Sequence, residues 1–321
     1  GWTMMSYATA RRRDVNSEIN KLYSEDRAVH EWYRFVLSFP PHLVRTYLER
    51  FGITPQQMVL DPFCGTGTTL VECKKHGIPS IGIEANAMAH VASQTKTNWQ
   101  PDPDHLMRHA RAVAAAAQAA LAQDGIEDVA LFPALVPAPQ ALRTLTAEQT
   151  KLLLANSISP LPLHKALALR DAIQAQQNDD CAAHELLAFA KTVVFAASNL
   201  TFGPEVGVGR PQADAPVIAP WLAGMRALTD DLRLMHARRD VPAQVHNADA
   251  RQIGEIIPPA SIDAVFTSPP YPNEKDYTRT TRLESVLLGF IHNKAELQAL
   301  KRGLLRSNSR NVYQGCLLYT S

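Results

Sequence analysis

The sequence has no apolar run long enough to cross a bilayer. Its longest, residues 186–197, is interrupted by Lys191 and falls short of the roughly 20 apolar residues that a spanning helix needs. Arg11, Arg12 and Arg13 have no apolar stretch behind them, so a secretory signal is not expected and the cytoplasm is the expected location. Cysteine is scarce. Cys64, Cys73, Cys181 and Cys316 show no C-x-x-C spacing and no paired histidines at ligand intervals, so reduced thiols are expected, with no metal and no disulfide framework. An excess of charge of either sign is also missing: 32 Lys and Arg stand against 31 Asp and Glu, for a net charge of +1. Affinity for nucleic acid must then come from local patches. What is present is an ordinary globular composition, 46% hydrophobic and 20% charged, enough to bury one large core or two smaller ones.

The chain opens with a polar, basic stretch. Between residues 29 and 51 Trp32, Phe35, Val36, Phe39, Leu43, Val44 and Leu48 recur at helical spacings around Pro40 and Pro41, which predicts two helical pieces split by the prolines. A compact run at 58–60 ends at Asp61, turns through glycines and continues into an amphipathic stretch; a second buried run at 81–83 ends at Glu84. This is a βαβ unit with a parallel sheet. From about 101 to 240 the pattern turns helical. Asp102 and Pro103 sit where an N-cap and first helical position belong, Gly125 is a stop, and Thr146 with Gln149 forms a capping-box signature. Residues 186–200 are another helical candidate, and the glycine-punctuated stretch 202–210 fits neither template and is expected to be a loop. Strand character returns at 245–248, before Asp249, and at 262–266. Leu283, Val286, Leu287, Phe290 and Ile291 then trace one helix face, expected to pack on the sheet.

Two constellations carry chemistry. Residues 61–69, D-P-F-C-G-T-G-T-T, sit where a strand hands over to a helix, the place where open α/β sheets bind ligands. A phosphate loop would need Lys before its last Ser/Thr, and a dinucleotide fingerprint would need Gly where Leu70 stands. The remaining fit is a ligand bearing an ammonium and a sulfonium, with Asp61 as negative charge. Glu84, nineteen positions after Gly65, is placed to accept both hydroxyls of a ribose, and Asp249 to accept from an adenine amine. The second constellation is Thr267 followed by Ser268, Pro269, Pro270 and Tyr271. Proline offers a carbonyl and no donor, so Ser268 Oγ and the Pro269 carbonyl can hold the two hydrogens of an exocyclic amine while its lone pair attacks a methyl group in line. Tyr271 can stack on a base swung out of a duplex.

D-P-F-C-G-T-G-T-T followed by T-S-P-P-Y resembles the S-adenosylmethionine-dependent amino-group DNA methyltransferases. The resemblance covers about residues 30–100 and 241–310. It implies an α/β fold, a Rossmann-like methyltransferase sheet with helices on both faces, here with a largely helical insertion. It also implies cofactor-binding roles for Phe39, Pro40, Asp61, Phe63, Gly65, Thr66, Gly67, Thr68, Glu84 and Asp249, with Phe39 and Pro40 at the methionine end, and catalytic roles for Ser268, Pro269, Pro270 and Tyr271. Ser at the first position of the four-residue motif leans towards N4 of cytosine, where Asp or Asn leans towards N6 of adenine. The motif order, cofactor before catalytic, departs from the permuted subgroup that often carries S-P-P-Y, which keeps adenine open.

The expected organisation is a basic arm at 1–28, a cofactor-binding half at 29–100, a helical insertion and possible target-recognition region at 101–240, and a catalytic half at 241–315. Lys275, Arg279 and Arg282, within a basic stretch reaching Arg310, are candidates for clamping duplex DNA beside a flipped base, and a cognate restriction endonuclease is a possible partner. A fold of this family needs three more strands after Tyr271, so the sheet is expected to be unfinished. Residues 316–321 resemble translated adaptor DNA, which suggests a truncated reading frame. RNA or protein amino-group methylation and an inactive cofactor- or DNA-binding fragment are the alternatives.

Overall fold

A computed structural model describes residues 22–35, 38–131, 141–203, 205–267 and 277–303. Its centre is a parallel sheet of β1 (Val59–Asp61), β2 (Ser80–Glu84), β5 (Ala243–Asn247) and β6 (Ala264–Val265) in the order β5-β2-β1-β6. Val59 pairs with Ser80 on one side and with Ala264 on the other, and Ser80 pairs in turn with Ala243. Val59, Leu60 and Ile83 are all buried, as expected of parallel strands covered on both faces. The strands lie within a residue or two of where alternation and apolar runs place them. The last is shorter than its apolar run, although Phe266 N still donates to the Leu60 carbonyl at 2.9 Å.

One face is covered by α1 (Pro41–Arg50) and α2 (Thr68–Lys75), which enclose a small core of Val44, Leu48, Val59, Cys73 and Ile78. Beside it Tyr47, Phe51 and Phe266 form a ring cluster that reaches the surface, where Val265 is 58% exposed. The larger core joins α3 (Ala87–Lys96) to the helical block: α4 (Pro103–Gln123), α5 (Ala147–Leu152), α6 (Pro160–Ala175), α7 (Ala182–Thr192) and α8 (Ile218–Leu234). The caps read in the sequence are present. Asp102 accepts from Asp104 N, and Thr146 and Gln149 complete a reciprocal capping box. Trp99 and Trp221 are fully buried in this core, which makes them large contributors to its stability. No helix among the described residues is long and apolar enough to cross a membrane.

Three local expectations are corrected. The glycine-rich stretch after residue 199 holds an antiparallel hairpin, β3 (Leu200–Phe202) with β4 (Val206–Val208). The ladder is too short to show alternation, and it is closed by Gly209 N donating to the Asn199 carbonyl at 2.7 Å. The piece before the prolines makes only single 3-10 turns, Ser24–Asp26 and His30–Trp32. Its polar groups are captured by distant side chains: Val29 N and Trp32 Nε1 both donate to Asp231 Oδ2, and Tyr33 Oη to Glu284. Finally, the helix after the second motif is broken. Beyond α9 (Ile253–Ile256), the chain forms α10 (Tyr277–Thr280), α11 (Arg282–Leu287) and α12 (Lys294–Gly303). Gly289, at φ 81°, ends the middle one. Leu283, Val286 and Leu287 are buried as read, but in the helical core beside α3 and α5 rather than on the sheet.

Candidate functional site

Strand order locates the site before any side chain is considered. The chain runs from β1 outward through β2 to β5, then returns to the opposite side of β1 as β6. The direction therefore reverses between β1 and β6, and ligands of such sheets bind beyond the carboxyl ends of the strands at that reversal. Asp61 ends β1, and Thr267 follows β6.

Asp61 is buried, and its Oδ1 accepts from Phe63 N at 3.0 Å. Burial pushes its carboxyl up to about 7, reinforced by the negative Glu84 and opposed by hydrogen bonds from Thr69, Phe63 N and Thr267. Glu84 ends β2. Its Oε2 accepts from Gly65 N at 2.9 Å and its Oε1 from Asn86 N at 3.0 Å. Burial again raises its carboxyl, while these amides and that of Ala85 pull it down. Among the described residues, no lysine or arginine is a leading influence on either carboxyl. A buried and a half-buried acid facing one loop, with no cation paired to either among the described residues, favour a ligand that brings positive charge and hydrogen-bond donors.

The loop is built for close approach. Cys64 N donates to the Ile83 carbonyl and Gly67 N to the Cys64 carbonyl, folding a tight turn over β2. Gly67 stands at φ 93°, and a Cβ there would lie 2.9 Å from Ser93 Cβ on α3. Gly65, at φ 55°, has nothing within 4 Å of an added Cβ, so the open side of the loop is at Gly65. Thr66 and Thr68 are buried beside it, and Phe63 is half-buried. Thr68 and Thr69 begin α2, whose free amides face the same end of the sheet.

The other expected residues are placed as follows. Phe39 packs against the small core with Ala264 and Phe266, and Pro40 caps α1, its carbonyl accepting from Leu43 N. Asp249 lies two residues beyond β5. It caps the turn Ala250–Gln252 and forms an ion pair with Arg251 through both carboxylate oxygens, so its acceptors are already engaged. Arg279 is exposed. Arg282 is turned inward, with Nη1 donating to the Leu152 carbonyl at 3.0 Å and Nε to Thr278 O at 3.0 Å. Ser268, Pro269, Pro270, Tyr271 and Lys275 lie outside the described residues. Thr69 and Thr267 stood in the two motifs without an assigned role, and Asn86 was not singled out; a polar residue flanking an expected motif acid was the available signal. A groove of about 670 Å³ runs along β5 between Lys74, Trp99, Asp240 and Val245 and includes none of the motif residues.

Residues 7–94 match the family model described as DNA methylase. That stretch contains Asp61, the glycine loop and Glu84. The chain is 36% identical over 89 residues to the Type II methyltransferase M.BsoBI of Geobacillus stearothermophilus, covering 28% of this chain and 17% of that protein. It is 38% identical over 69 residues to the Type II methyltransferase M.MjaII of Methanocaldococcus jannaschii, covering 21% and 13%. The chain thus spans under a fifth of the length of either relative. No solved structure matches it significantly.

Proposed function

We propose that this chain, whose residues 7–94 match the DNA methylase family model, transfers a methyl group from S-adenosylmethionine to an exocyclic amino nitrogen in duplex DNA, N4 of cytosine ahead of N6 of adenine. The observation that carries the reading is the pair of carboxyls at the ends of β1 and β2, buried Asp61 and half-buried Glu84, with no cation paired to either among the described residues, beside the start of the T-S-P-P-Y motif. S-adenosylmethionine supplies an electrophilic methyl on a sulfonium together with an ammonium, and these groups match what the two acids need.

In this reading Asp61 accepts from the cofactor's ammonium. Glu84 spends one lone pair per oxygen on Gly65 N and Asn86 N and keeps the others for the ribose hydroxyls. Gly65, Thr66, Gly67 and Thr68 give backbone approach, Phe63 and the Phe39–Pro40 pair line the methionine end, and Asp249 receives the adenine amine once it releases Arg251. Ser268 Oγ and the Pro269 carbonyl orient the target amine, Pro270 stiffens the turn and Tyr271 stacks on the flipped base. The new N–C bond would form as the sulfonium's S–CH3 bond breaks, its electron pair staying on sulfur to leave the thioether S-adenosylhomocysteine, and the amine would shed one proton towards these acceptors and on to solvent. Arg279 and Lys275 hold phosphate; Arg282, engaged with Leu152, contributes mainly by fixing α11. The block 101–240 serves as a target-recognition insert. The Type II names of the relatives support a cognate restriction endonuclease as partner.

Two assays on one preparation test this. Calorimetry is expected to show one S-adenosylmethionine site, weakened at least about tenfold by Asp61→Asn. Labelled-methyl transfer to duplex DNA is expected to fall at least about 100-fold in Ser268→Ala while cofactor binding is retained. Undiminished transfer by Ser268→Ala would refute the assignment.

A further inference from the structure

Away from the strand ends, the helical block brings three ligating atoms together. His109 on α4, Cys181 at the N-cap of α7 and Glu185 in its first turn place one ligand atom each within 4.8 Å of one another. Cys181 and Glu185 are four apart and share one helix face, a turn closed by Glu185 N donating to the Cys181 carbonyl at 3.1 Å. Both side chains are fully buried, and the Cys181 thiol is free.

The histidine's orientation is informative. His109 Nε2 lies 2.7 Å from the Gln176 carbonyl oxygen, which can only accept, so Nε2 carries the hydrogen. In a neutral ring Nδ1 is then a bare lone pair. That nitrogen stands 2.7 Å from Glu185 Oε1, yet no well-directed hydrogen bond serves His109 Nδ1 or either Glu185 oxygen. Two acceptors at that separation repel unless a cation sits between them. A shared proton satisfies only the Nδ1–Oε1 contact. It leaves Oε2 without a donor and the buried Cys181 sulfur without a role. A metal ion engages all three groups, and a ring held by its far nitrogen on a backbone carbonyl is the usual outer-sphere arrangement of a metal-bound histidine.

We propose that His109, Cys181 and Glu185 form a three-ligand site for a borderline-soft divalent cation of the Zn²⁺ class, pinning α4 to α7 with a fourth position left to water. An imidazole, a thiolate and a carboxylate suit this class, whereas Mg²⁺ and Ca²⁺ take oxygen ligands. Binding displaces the Cys181 Sγ proton, and any proton held between His109 and Glu185, to solvent; three metal–ligand bonds form and nothing is oxidised or reduced. The proposal departs from the sequence expectation of no metal, which rested on spacing along the chain. Its histidine and cysteine are 72 residues apart in the chain, and only folding brings them together.

The test uses the full chain stripped with a chelator and reloaded with Zn²⁺ or Co²⁺. One equivalent per chain is expected, with a near-ultraviolet thiolate-to-cobalt band for the Co²⁺ form and a higher melting temperature. Glu185→Gln keeps the shape and offers Nδ1 a donor, so it should fold natively by circular dichroism and bind metal at least about 100-fold more weakly; Cys181→Ala should lose the band. Sub-stoichiometric uptake by the wild-type chain, or a cobalt band that persists in Cys181→Ala, would overturn the site. The stoichiometry and the cobalt band of the wild-type chain need no variant, so the outcome does not hang on whether a variant folds.

Discussion

Asp61 is a buried carboxyl paired with no cation among the described residues, and its pH behaviour follows. Its ordinary value is 3.8 and its folded value about 7, so the folded, ligand-free chain holds this proton more tightly than the unfolded one. The stabilisation is complete below about pH 4 and is lost as pH rises through about 7. A cationic ligand reverses the preference by favouring the ionised form. S-adenosylmethionine affinity should then rise with pH, by up to about tenfold per unit between pH 5 and 7, and level off above; Asp61→Asn should flatten the profile. Calorimetry across that range decides the matter, and a pH-independent affinity of the wild type would sink the ammonium role. Gly67→Ala makes a steric case. At φ 93°, with Ser93 Cβ 2.9 Å from the new atom, it should cost about 1–3 kcal/mol in urea unfolding and weaken cofactor binding. These residues were legible because a strand, an acid and a glycine turn are local signals. Arg282 was not. Its partner is the Leu152 carbonyl, 130 residues away, and no local pattern separates an inward guanidinium from a phosphate clamp.

Among the elements, α8 shows what sequence cannot hold. Its N-terminus has no side-chain cap of its own. Asp128, about ninety residues earlier, supplies it: Oδ1 accepts from Val217 N and Ile218 N at 2.8 and 3.0 Å, and Oδ2 from Ala219 N at 2.8 Å. Asp128 also anchors Lys165, whose Nζ donates to its carbonyl at 2.8 Å. Asp128→Ala removes three charge-assisted bonds at the positive end of a helix and should lower stability by about 2–4 kcal/mol, with Asp128→Asn losing roughly half of that. Equal stability of the three proteins in urea would show the cap to be idle. The local caps at Asp102 and Thr146 were readable because donor and acceptor lie within three residues; the one at α8 becomes visible only after the block has folded. The hairpin β3–β4 escaped for a related reason. Its three-residue strands carry too little alternation to register, and Asn199 N reaches back to the Ser157 carbonyl to hold it.

At the scale of the whole molecule, the larger core runs from Val29 and Trp32 through α3 and the helical block to Leu287 and Leu297. Composition changes at about residue 101 made the block look separable in sequence, yet its apolar faces close on residues from both sides of it. Trp32, Trp99 and Trp221 all lie in that core, so tryptophan fluorescence and far-ultraviolet circular dichroism should report one coincident urea transition; an earlier transition in either would show the block melting alone. The parallel sheet and its acids were legible in outline, because apolar runs ending in Asp61 and Glu84 repeat the same strand-then-acid pattern. The chemistry assigned to the site is tested most directly by mass spectrometry of nucleosides from the DNA of cells expressing the gene, against cells carrying Ser268→Ala. N4-methylcytosine is expected in the first and none in the second. N6-methyladenine alone would contradict the choice of base, and the absence of both modified nucleosides would contradict amino-group methylation of DNA.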